Sequence, residues 1–153
     1  MTLAEAAVFA SIAGAVTCWA VSEALESRTA WTLGALLALG HALLAFAVFY
    51  GWSHEQARAS TMRQTEALTG LRFAGGIYVN YLFLLVWLGD AVWWWVSPRS
   101  RATRARAVTL AVHGFIFFIM VNGAVMFADG LARLLGGTAV AVVAMAWLRR
   151  LNR

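Results

Sequence analysis

"YVNYLFLLVWLGDAVWWWVSP", residues 78–98, is a hydrocarbon-like run that keeps one asparagine, Asn80, and one aspartate, Asp90. With the apolar residues before it, the run extends from Phe73 to Val96. That exceeds the roughly 20 residues that carry a helix across about 30 Å of hydrocarbon. A carboxylate at the centre of such a span costs about 2.5–3.5 kcal/mol on insertion scales. Its presence is physically reasonable only where neighbours turn it away from lipid.

The helical wheel supplies those neighbours. At about 100° per residue, Gly76, Asn80, Phe83, Trp87, Asp90 and Trp94 share one sector. A small residue, two polar groups and three aromatic rings make a face for other helices rather than for acyl chains. Asp90 lies about 12 Å of helix rise before Pro98, in one half of the membrane rather than at its centre. Asp90, Asn80 and Trp87 therefore form the candidate intramembrane polar site. For Asp90 a helix-to-helix hydrogen bond, to an indole N–H or a loop arginine, stands against a proton-accepting or cation-binding role. Asn80 reads as a cross-helix hydrogen bonder, and the deeper Trp87 as packing or as a stacking surface for a planar ligand.

The rest of the 153-residue chain agrees with a membrane setting. Hydrophobic residues make up 62%, charged residues 12%, and the mean hydropathy is +0.73. Soluble domains carry about a quarter charged residues, and a soluble fold this small has no interior large enough for such an apolar surplus. Five runs qualify as spans, at about 4–22, 30–52, 73–96, 107–128 and 131–148. The expected fold is an all-α integral membrane bundle of five transmembrane helices in one domain, 1–153. The alternative is four spans plus a short re-entrant or interfacial C-terminal helix, because the last run is short and opens with Arg133. No alternating, turn-punctuated strand pattern suggests a barrel. The first ten residues lack a basic leader and carry Glu5, so the first run reads as a retained span.

All twelve basic residues are arginine, and the net charge is +5. They sit in short connections, as topology signals do, without the aromatic interleaving of a nucleic-acid surface. Five crossings put Arg28, Arg99, Arg101, Arg104, Arg106, Arg149, Arg150 and Arg153 on one side, eight against the four of Arg58, Arg63, Arg72 and Arg133. Without the fifth crossing the tally becomes five against seven. The positive-inside rule then favours five spans with the N-terminus outside and the C-terminus cytoplasmic. Arginine-only usage and the retained first span suggest a bacterial inner membrane.

Residues 53–70 form the one long connection. Ser53 and Gln56 fit a capping box, Gly70 a helix stop, and Glu55–Arg58 and Arg63–Glu66 fall at i,i+3 spacing. A solvated or interfacial helix is expected, either separate or continuing the second span. His54 reads as a residue of its first turn.

Two histidines lie inside spans. His41 shares a stripe with Gly34, Ala38, Ala45 and Val48, where Gly34 and Ala38 form a small-xxx-small pair. His113 groups with Phe117, Met120, Ala124 and Phe127. Each reads as a helix-to-helix hydrogen bonder; as a pair they are candidate axial ligands of a b-type haem. No metal-ligand spacing, nucleophile elbow or phosphate loop occurs. No second acid reads as deep in a span beside Asp90. The remaining tryptophans cluster near span ends as an interfacial belt, and the single Cys18 forms no internal disulfide.

The leading reading is a non-enzymatic membrane protein, an accessory or oligomer-forming subunit partnered by lipid and by a larger membrane complex or further copies of itself. The alternatives are a proton-coupled or ion-conducting transporter using Asp90, and a haem b/quinone redox protein using His41 and His113.

Overall fold

A computed structural model describes residues 2–126 and 128–152. Phe127 and Arg153, which figured in the sequence reading, lie outside the described residues. The described chain is all-helical, and five of its helices are long and apolar enough to cross a membrane.

Local chemistry marks each boundary. Helix α1, Leu3–Leu25, opens on a Thr2–Glu5 capping box and closes at Glu26 in the left-handed region, φ 53°. Ser27 then caps α2, Arg28–Tyr50, by accepting from the Ala30 N–H. This two-residue turn makes α1 and α2 an antiparallel pair, tied by a 3.0 Å bond from Ser22 Oγ to the Ser27 carbonyl.

Positive φ at Gly51 (52°) and Trp52 (63°) ends α2, so it does not continue into α3, His54–Thr69. Ser53 caps α3 and Gly70 ends it with φ 74°. The reciprocal half of the expected box, from Gln56, does not form, and Glu66 pairs with Arg72 at 3.4 Å instead of with Arg63.

Helix α4, Gly76–Val96, carries the opening sequence. The connection after it, read from sequence as a loop, contains a short helix α5, Pro98–Ala102, started by proline at its first position. Helix α6, Arg106–Val121, runs into a π turn, Asn122–Met126, and α7, Gly130–Leu151, completes the bundle. At 22 residues α7 rises about 33 Å, enough for a full crossing.

The five long helices alternate in direction. One end of the bundle, the arginine end, therefore gathers the close of α1, the start of α2, the close of α4, all of α5, the start of α6 and the close of α7. Helix α3 stands at the other end against the start of α4, with Thr61 beside Gly76 and His54 Nδ1 2.9 Å from the Tyr81 hydroxyl.

Three indoles, Trp19, Trp31 and Trp87, fill the core at 0% exposure alongside Ile116 and Val143. Trp31 meets Trp87 edge-on at 5.5 Å between centroids, and Trp87 packs on Phe83 at 5.4 Å. Large apolar side chains such as Leu85, Leu110, Phe118 and Leu134 point outward. That inversion of the soluble pattern is what a lipid solvent allows.

Candidate functional site: two buried carboxylates at the arginine end

Asp90 is turned inward and is 4% exposed. The stripe Phe83, Trp87, Asp90 faces α2 and α6, and the start of the α4–α6 connection folds back beneath it. Both carboxylate oxygens are taken. Arg101 donates to Oδ2 from Nε at 3.1 Å and from Nη2 at 2.8 Å, while Arg104 donates to Oδ1 from Nη1. Of the partners expected from sequence, the loop arginines are the ones found.

Each arginine is fixed in turn. Arg101 lies 3.6 Å over the Trp94 ring, and Arg104 donates to Thr109 Oγ1 at 3.0 Å and approaches Trp93 at 5.5 Å. Arg28 stacks on Trp95 at 3.7 Å, whose indole N–H donates to Thr32 at 2.9 Å. Three consecutive indoles thus each carry a guanidinium, a cation–π layer where the bundle meets the headgroup level.

The structure separates the other expected members. Trp87 is wholly enclosed by Trp31, Phe83 and the notch at Gly34, with no open face for a planar ligand. Asn80 is exposed near the α3 end, not inside the stripe. At that level α4 lies against α3, where Ile77 is buried and Tyr81 meets His54.

A second carboxylate, unanticipated by the sequence reading, is buried at the same end. Helix α1 continues past the expected stop at residue 22, so Glu23 lies in its last turn and is 2% exposed. Its Oε1 accepts from His113 Nδ1 at 2.5 Å, and its Oε2 from Trp147 Nε1 at 2.9 Å. Arg150 stands 3.7 Å from Oε2, donates to the Glu23 carbonyl, and reaches Glu26 at 3.3 Å. His113 also stacks on Trp31 at 4.9 Å, which links this cluster through Trp87 to Asp90. Asp90 thus has a second buried acid at its end of the bundle, in the last turn of α1 rather than deep in that span. Its signal was present in the spacing Val16, Trp19, Glu23, which continues the buried face of α1.

His41 and His113 are not brought together. His41 Nδ1 donates to the Val8 carbonyl at 3.0 Å, whereas His113 reaches Glu23. Those two α1 positions are fifteen residues apart (23 − 8), about 22 Å along the helix axis. Axial ligands must meet across one iron, so this pair does not form a haem clamp. Each histidine instead does what its simpler reading proposed, joining two helices.

No family model matches the chain, and neither a curated protein nor a solved structure matches it. The class of the protein therefore rests on its own geometry: a small multi-pass membrane bundle with its buried charges clustered at one end.

Proposed function

We propose that the chain is a non-enzymatic membrane subunit, an accessory component of a larger complex or a homo-oligomer, seated in a bacterial inner membrane with its arginine end in the cytoplasm. The observation that carries this reading is the double clamp on Asp90. A carboxylate whose two oxygens are both held by arginines from the adjoining connection serves to fix that connection. The outer face of the fourth span supports it as well: Leu110 and Phe118 stand exposed there, an apolar surface that a neighbouring helix can cover. Mass measurement in lipid nanodiscs tests the proposal. A higher-order assembly or a stoichiometric co-purifying membrane protein is expected; a strict monomer without a companion overturns it.

A second reading, a small proton-coupled transporter, is favoured by one observation. Glu23 and His113 add a carboxylate and an imidazole to the arginine end, so titratable groups there extend beyond Asp90. It requires a pH-dependent flux in proteoliposomes that Asp90→Asn or Glu23→Gln abolishes. Flux equal to that of empty vesicles at every pH eliminates it.

A further inference from the structure

Beside the Glu23 cluster, a groove of about 360 Å³ opens between α1 and α7 at the arginine end. Its wall changes character along α7. Val142, Met145 and Ala146, with Ala24 opposite, are apolar, while Arg149, Arg150 and Glu26 form the rim. Val142 lies seven residues below Arg149, about 10 Å deeper along the helix.

The two rim arginines differ. Arg150 is bound to Glu26 at 3.3 Å and to Glu23. Arg149 has no carboxylate within ion-pair reach among the described residues. The whole end is similarly unbalanced: among the described residues Arg28, Arg99, Arg101, Arg104, Arg106, Arg149 and Arg150 stand against Glu23, Glu26 and Asp90, an excess of four positive charges (7 − 3). An occupant that matches this wall is anionic at the headgroup level and apolar below it, in the same order as the bilayer itself.

We propose that the α1–α7 groove binds one anionic phospholipid, with Arg149 on the phosphate and the Val142–Met145 wall against the first acyl methylenes. A soluble anion would leave the apolar wall unused, and an apolar helix would leave Arg149 uncompensated.

The test is native mass spectrometry of the full chain released from nanodiscs holding equal phosphatidylglycerol and phosphatidylcholine. Wild type should retain one phosphatidylglycerol in preference to phosphatidylcholine. Arg149→Gln should weaken that preference about fivefold, the equivalent of one interfacial cation. Arg133→Gln, at the opposite end, should leave it unchanged. Val142→Trp, which fills the groove and keeps every charge, should also lose the bound lipid. Equal retention of both lipids by wild type overturns the proposal, as does an Arg149→Gln profile identical to wild type. A loss in Arg149→Gln without one in Val142→Trp also overturns it, because surface charge alone then holds the lipid. So does full displacement by inorganic phosphate.

Discussion

Trp87 of α4 rests on Gly34 of α2: a Cβ at position 34 would stand 2.7 Å from Cζ2 of the indole and 3.3 Å from the Cys18 Cβ. The ring cannot retreat, because Trp31 and Phe83 hold its other sides. Gly34→Ala should therefore destabilise the bundle by about 1–3 kcal/mol, the usual cost of overpacking. Gly40→Ala, on the same helix with open space around it, should be neutral or slightly stabilising. Unfolding midpoints of the two variants in one detergent would separate them, and equal midpoints would refute the notch.

The same contrast exists within a single glycine pair. A Cβ at Gly136 runs into the Ala124 backbone of the π turn, whereas one at Gly137 meets nothing within 4 Å. Gly136→Ala should loosen α7 from the turn and lower the unfolding midpoint, and Gly137→Ala should not. A π turn is sensitive to such contact because its own ladder is already irregular.

Breaking the clamp on Asp90 should expose the connection it holds. In Asp90→Leu, Arg101 and Arg104 lose their shared acceptor, and removing one partner of a buried ion pair costs about 3–5 kcal/mol. Asp90→Asn keeps an acceptor oxygen and should cost less. Limited trypsinolysis in nanodiscs should cut after Arg101 and Arg104 fastest in Asp90→Leu, then Asp90→Asn, then wild type. Identical cleavage rates would mean that the clamp does not hold the connection.

Glu23 and His113 should behave as one unit. Each single change, Glu23→Gln and His113→Gln, is expected to destabilise, and the double change to cost less than their sum. A coupling energy of about 0.5–3 kcal/mol is normal for groups in direct contact. The same cycle run with Glu23→Gln and His41→Gln should be additive, since those sites engage α1 fifteen residues apart (23 − 8). Additivity in the first cycle would show that the contact is energetically empty.

The five spans were legible because a lipid solvent demands long apolar helices. Long apolar runs, together with the caps at Ser53 and Gly70, depend on local chemistry, and those helices form where expected. The inward turn of Asp90 was legible too, since Phe83 and Trp87 are on its face. Asn80 misled because the wheel records angle and not level: beside α3 the contacts go to Gly76 and Tyr81, and Asn80 is left exposed. Glu23 was hidden because it lies one residue past the expected end of the first span. Its partners His113, Trp147 and Arg150 lie 90, 124 and 127 positions away, beyond any local pattern. The proposed haem pair failed for a related reason, since depth along a helix cannot be compared across helices without their offsets.

Those separations also dictate an order of assembly. Asp90 meets its cations within eleven and fourteen residues, so one ribosomal product a few turns longer than α4 already neutralises it. Glu23 enters the bilayer first and waits through three further crossings before α7 arrives with Trp147 and Arg150. A chain that ends before α7 leaves Glu23 with His113 alone, without the indole and the guanidinium that complete its shell in the finished protein.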